Sequence, residues 1–168
     1  MNKVLIIMAG GLGKRMNSDT PKVLLEINSK PIIVKIISEC LKLDVDKIII
    51  VVGIYEEIIK KTIYKFIQDI NRLYFIRQEP PLGTGHAILC CLPYLQNYHS
   101  NTNICILSGD CPLITSSTIN KFFDDSLMKI GISYLENPSG YGRIIEVNNR
   151  FNKIVEEKDC SEYEKKVN

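Results

Sequence analysis

The hydrophobic positions of the chain change period several times, and each change marks an element. Val4 to Met8 is a continuous apolar run that stops at Gly10, the pattern of a strand buried on both faces. Lys47 to Val52 repeats it and stops at Gly53, while Leu73 to Ile76 and Asn103 to Leu107 supply a third and a fourth strand. Between these runs the spacing becomes helical. Pro31 opens the apolar-rich segment IIVKIISECLKL, proline being favoured in a first helical turn. Tyr55 to Ile70 carries Ile58, Ile59, Ile63, Phe66, Ile67 and Ile70 at helical spacing, positions that read as core rather than ligand surface. Thr84 to Leu95 and Ser116 to Leu127 complete the helices, and Val23 to Ile27 reads as a short extended piece.

Strands separated by helices imply βαβ units, hence an α/β chain with a mainly parallel sheet. In such sheets ligands bind beyond the carboxyl ends of the strands. Three stretches rich in glycine, proline and polar residues fall at those ends: AGGLGKR after the first strand, QEPPLGTG after the third and SGDCPL after the fourth. The pattern thus places all three on one edge of one sheet.

Composition removes other classes. A chain of 168 residues has the length of one domain and buries about 70% of its extended surface. Its 21 basic and 19 acidic residues are interspersed, with a formal charge of +2, so no field calls for nucleic acid or an acidic membrane. The six cysteines sit mostly inside apolar runs and show no paired metal spacing. With a first strand too short for a signal core, this implies reduced thiols in a cytoplasmic protein. No run is long enough to span a bilayer, and the oligomeric state is open.

Candidate chemistry begins with the glycine loop. Gly10, Gly11 and Gly13 let backbone N–H groups approach an anion. A dinucleotide fingerprint would need glycine or alanine where Met16 stands, and a mononucleotide P-loop would need serine or threonine where Arg15 follows Lys14. A plain strand-to-helix turn is the alternative for the glycines alone; Arg15 and the Pro21-Lys22 pair favour phosphates. In the second stretch, Gln78 offers an amide that donates and accepts, which suits a pyrimidine edge. A structural turn explains its prolines and glycines equally well, but not Thr84, which is placed to cap the helix with N–H groups turned toward the cleft. His86 reads as a packed helix residue without a catalytic role. In the third stretch Asp110, with Gly109 leaving room beside it and Pro112 restricting the backbone, suits Mg²⁺ held against phosphate oxygens; capping of the next turn is the alternative. A fourth region, Asn137 to Arg143 followed by Glu156, reads as a hairpin with a charged surface run, or as turn backbone and a carboxylate meeting a sugar.

AGGLGKRM followed by TPKVLL resembles the signature loop of the sugar nucleotidyltransferases. LGTGHA, GDCPLI, PSGYGRI and IVEEKD extend the likeness from Val4 to about Glu162 and narrow it to the N-acetylglucosamine-1-phosphate uridyltransferases, although Ser108 stands where that family has tyrosine. The resemblance implies a Rossmann-like three-layer nucleotide-diphospho-sugar transferase fold with a mainly parallel mixed sheet. It implies one nucleotidyltransferase domain over residues 1–168, shortened at its C-terminus and without an acetyltransferase domain. Ala9, Gly10, Gly11, Gly13 and Gly109 would line the nucleotide, Arg15 would meet its phosphates and Lys22 the reacting phosphoryl group. Gln78, Gly83 and Thr84 would read uracil, Asp110 would bind Mg²⁺, and Gly142 and Glu156 would contact the acetylated sugar. The implied partners are UTP and N-acetylglucosamine-1-phosphate. A sugar phosphate is already ionised, so catalysis would need no general base, only positioning and neutralised charge. A guanylyl- or cytidylyltransferase of the same fold is the alternative enzyme, and a non-catalytic nucleotide-binding module the alternative of another class.

Overall fold

The structure, a computed structural model, describes residues 2–11, 20–96, 98, 102–124 and 128–167. The chain divides into two compact units, Met1–Ser126 and Leu127–Asn168.

In the first unit the long strands are β1 (Asn2–Met8), β4 (Lys47–Val52), β5 (Leu73–Arg77) and β6 (Thr102–Ser108). They form one sheet in the order β5-β4-β1-β6, every pairing parallel. The helices are α1 (Ile32–Leu41), α2 (Glu56–Phe66), α3 (Thr84–Leu89), α4 (Leu92–Leu95) and α5 (Ser116–Asn120). Leu5, Ile7, Ile48, Ile50 and Val52 face a core shared with α1, α2 and α5. Val4, Ile6, Ile49, Val51 and Ile76 face the other way, onto Ala87 of α3 and Cys91. Successive residues of each central strand therefore enter opposite helical layers. That is why their runs are apolar without a break, and why the fold is three-layered as expected.

The helical reading holds less well at its ends. Only Ile59, Ile63 and Ile67 of the segment after β4 are buried, whereas Ile58, Phe66 and Ile70 are exposed and α2 stops at Phe66. A single i, i+4, i+8 row meets the sheet, so half of the six expected core positions lie outside it. The expected helix over residues 84–95 is two helices, with Pro93 in the first turn of α4, where its missing N–H does no harm. Lys22–Leu24 is a 3₁₀ turn rather than extended chain, and it leads into the small hairpin β2 (Glu26–Ile27) and β3 (Lys30–Pro31). Asn28 and Ser29 make its turn at φ 54° and 59°, the left-handed geometry that matches strand twist. Residues 125–127, the end of the last expected helix, lie outside the described residues.

Glu39 on α1 accepts the Ser116 N–H at 2.8 Å and so ties α1 to the start of α5. Burial pushes the Cys40 thiol up to about 12 and the Cys91 and Cys105 thiols to about 11, so these three stay protonated at neutral pH.

The second unit holds the antiparallel hairpin β7 (Arg143–Val147) and β8 (Arg150–Val155), turning at Asn148 and Asn149. Among the described residues no helix is long and apolar enough to cross a membrane.

Candidate functional site

The parallel register brings the ends of β1, β4, β5 and β6 to one edge of the sheet, and the first-unit candidates that the structure describes lie there or in the turns beside it. Ala9 donates to the Val51 carbonyl at 2.8 Å, which extends the β1–β4 ladder into the loop. A Cβ on Gly53 would lie 2.9 Å from the Gly10 carbonyl oxygen, and one on Gly10 would lie 3.2 Å from the carbonyl carbon of Val52. The ends of β1 and β4 thus pack backbone to backbone, most tightly at Gly53 and within a few tenths of an ångström of ordinary contact at Gly10. Gly11 is exposed and, among the described residues, a Cβ there would meet nothing within 4 Å, which leaves its backbone open on that side. Gly13 and Arg15 lie outside the described residues.

Gly109 makes the tightest approach. Its N–H donates to the Met8 carbonyl at 2.9 Å, and a Cβ there would come within 2.5 Å of that same oxygen. The contact docks the end of β6 on β1 and sets the direction of the next residue, Asp110. Lys22 Nζ donates to one Asp110 oxygen at 2.7 Å, and the Ser108 hydroxyl donates to the other at 2.6 Å. Lys22 is the larger cause, and Ser108 the next, of a carboxyl held below its ordinary range despite partial burial. Two candidates 88 residues apart in sequence therefore meet. Asp110 turns toward a cation rather than capping the turn that follows. Ser108, which sequence reasoning treated only as a missing aromatic, orients the acid. An Asp-x-Ser spacing read backwards along a strand end is the signal for it.

Among the described residues there is no group of three or more metal-ligating side chains. A Mg²⁺ bound between phosphates needs only one or two carboxylates, and Asp110 is an ionised, hard oxygen donor on the ligand edge of the sheet. The donor set fits Mg²⁺ shared with phosphates and does not form an all-protein cage.

At the end of β5, Gln78 is 7% exposed. Its backbone N–H bonds the Val52 carbonyl at 2.8 Å. Its side-chain nitrogen donates to the Gly83 carbonyl at 2.9 Å and lies 3.2 Å from His86 Nδ1. The loop from Gln78 to Gly83 is thus closed on itself. Gly83, at φ 101°, is the residue that enters α3, and among the described residues no side chain caps that helix. The capping role expected of Thr84 falls to Gly83 because the chain must turn through a left-handed conformation there; Thr84 is the exposed first residue of the helix.

In the second unit, a Cβ on Gly142 would lie 3.8 Å from a Glu156 carboxylate oxygen, so these two candidates are neighbours. The turn before β7 is held by residues that sequence reasoning passed over. Glu157 accepts the Gly140 N–H at 2.7 Å and the Arg143 guanidinium at 3.1 Å, and Arg143, 3% exposed, also donates to the Tyr141 carbonyl. The Gly140 N–H, followed by Arg143, holds the Glu157 carboxyl below its usual range.

Residues 5–142 match the family profile described as the MobA-like NTP transferase domain. The chain is 43% identical over 97% of its length to a probable UDP-N-acetylglucosamine pyrophosphorylase of Acanthamoeba polyphaga mimivirus, and spans 65% of that relative. It is 39% identical over 97% of its length to the bifunctional protein GlmU of Nitrosomonas europaea, and spans 35% of it. Among solved structures it is similar to HddC from Yersinia pseudotuberculosis complexed with GMP-PN: TM-score 0.72, 27% identity, covering 93% of this chain and 69% of that one. The inositol-1-phosphate CTP transferase from T. maritima shares the fold at TM-score 0.71 and 21% identity, over 95% of this chain and 66% of that one.

Proposed function

This chain belongs to the MobA-like NTP transferase domain family, and on that premise we propose that it transfers a uridylyl group from UTP to N-acetylglucosamine-1-phosphate in the cytoplasm. The observation that carries the reading is the Lys22–Asp110 contact of 2.7 Å at the carboxyl edge of the sheet. A cation and an ionised acid stand together beside an open glycine backbone, on the edge where parallel sheets of this kind bind their ligands. The uracil and the sugar are supported by the name of the relative at 43% identity, a probable UDP-N-acetylglucosamine pyrophosphorylase.

In this reading an oxygen of the sugar-1-phosphate forms a bond to the α-phosphorus of UTP. The bond from that phosphorus to the bridging oxygen breaks, and pyrophosphate leaves with the electron pair. The attacking oxygen is anionic at neutral pH, so no side chain needs to take its proton. Lys22 moves from Asp110 to the reacting phosphoryl group and offsets the charge that builds there. Arg15 and the N–H groups of Gly11 and Gly13 hold the remaining phosphates. Asp110 would hold Mg²⁺, which when bound neutralises phosphate charge, through the oxygen that Lys22 vacates, while Ser108 keeps the other carboxylate oxygen in place. Ala9, Gly10 and Gly109 bring the strand ends close enough for the nucleotide to lie on backbone. Gln78, Gly83 and Thr84 read the base. In the second unit, Gly142 and Glu156 contact the acetylated sugar, the carboxylate accepting from its hydroxyls.

The test is pyrophosphate release by the chain with Mg²⁺, UTP and N-acetylglucosamine-1-phosphate, beside the other nucleoside triphosphates, glucose-1-phosphate and the Asp110→Ala variant. Release confined to UTP with the acetylated sugar and lost in the variant is expected. Release that survives Asp110→Ala would remove that residue from the site, and release with another nucleotide alone would move the reading to the guanylyl- or cytidylyltransferases.

A further inference from the structure

We infer that His86 is a positioning residue that sets base specificity by fixing which end of the Gln78 amide faces the nucleotide. The inference rests on the uridylyl reading above for the identity of the base.

The geometry allows one arrangement of protons. A backbone carbonyl only accepts, so the group 2.9 Å from the Gly83 oxygen must be the amide nitrogen of Gln78. The same nitrogen lies 3.2 Å from His86 Nδ1, and its second hydrogen needs an acceptor there. Nδ1 therefore presents a lone pair, which puts the ring proton on Nε2, directed at the Cys90 sulfur 3.9 Å away. Both amide hydrogens of a nearly buried side chain are then committed within the protein. What Gln78 has left to offer is its carbonyl oxygen, which lies on the side of the glycine loop: a Cβ on Gly10 would sit 3.4 Å from it.

That oxygen matches the N3–H of uracil. Cytosine carries a lone pair at N3 and would face oxygen with no hydrogen between them, unless the amide turned over. Turning it over would break the bonds to Gly83 and His86 together. His86 thus contributes to discrimination without touching the base.

The experiment measures UTP and CTP dissociation constants for the full chain and for His86→Asn and His86→Leu, each checked for an unchanged circular dichroism spectrum. An asparagine oxygen can replace the Nδ1 acceptor; leucine cannot. The wild type and His86→Asn are expected to share one preference for UTP, and His86→Leu to lose about tenfold of it, the scale of one hydrogen bond. An unchanged preference in His86→Leu overturns the inference. So does a ¹⁵N spectrum of the nucleotide-free chain in which the neutral His86 ring carries its proton on Nδ1. If the wild type shows no preference for UTP, the uridylyl reading fails, and the ring spectrum alone then decides whether His86 holds Gln78.

Discussion

Replacing Lys22 by methionine should move two measured quantities in opposite directions. The ammonium lies 2.7 Å from Asp110, but the two side chains are 45% and 36% exposed, so water screens the pair. An exposed pair of this kind is worth about 0.2–1 kcal/mol. Without nucleotide, a divalent cation that takes the Asp110 oxygen must displace Lys22. Its removal should therefore raise metal affinity about 1.4- to 5-fold, the same energies expressed as an equilibrium ratio. With substrates bound, Lys22 has exchanged the carboxylate for the phosphoryl group. Losing a charge-assisted hydrogen bond of about 1.5–3 kcal/mol should then lower turnover by roughly one to two orders of magnitude. Mn²⁺ titration followed by the resonance of the free ion reads the first effect, and pyrophosphate release reads the second. Weaker Mn²⁺ binding in Lys22→Met would mean that lysine and metal do not compete for one carboxylate. Wild-type turnover would mean that Lys22 never reaches the phosphate chain.

Gly109→Ala places a Cβ 2.5 Å from the Met8 oxygen, against backbone that has no rotamer to change; a loss of about 1–3 kcal/mol, seen in urea denaturation, is expected. The carboxyl of Asp110 is held below its ordinary value, first by Lys22 and then by Ser108. The stability from its ionised form is therefore complete above the unfolded-state value and is lost as pH falls through the lower folded one. A ¹³C titration of the Asp110 carboxyl should show the low midpoint in the wild type and a higher one in Lys22→Met. Glu157→Gln removes the charge that holds the Gly140 N–H and Arg143, so hydrogen exchange at Gly140 should quicken while the amides of β1 keep their protection.

Much of this molecule is local and could be read from one dimension. A strand buried on both faces must be apolar at every position, and Val4–Ile7 and Ile48–Val52 are so in both sequence and structure. Glycines where two strand ends touch, such as Gly53 and Gly109, stand out because a Cβ there would come within 2.9 and 2.5 Å of a backbone oxygen. Helix limits were less legible. Whether a fourth or a third apolar position of α2 meets the sheet depends on how the helix lies across it, and the exposed Ile58, Phe66 and Ile70 show that periodicity alone overstates the contact.

The pairings that give the candidate site its chemistry were invisible for a different reason. Lys22 meets Asp110 because β6 adds beside β1 rather than beside β5, and the strand order β5-β4-β1-β6 is decided by which helical layers close over which faces. Gln78 meets His86 because a left-handed Gly83 turns the chain back on itself, and Arg143 meets Glu157 across a hairpin. From sequence alone, residue types, their order and the edge on which they fall were determined, since these follow from period and from the direction of parallel strands. Which acid neutralises which base, and which end of an amide faces outward, was decided only by tertiary structure, because hydrogen bonds are set by distances of a few ångströms between segments far apart along the chain.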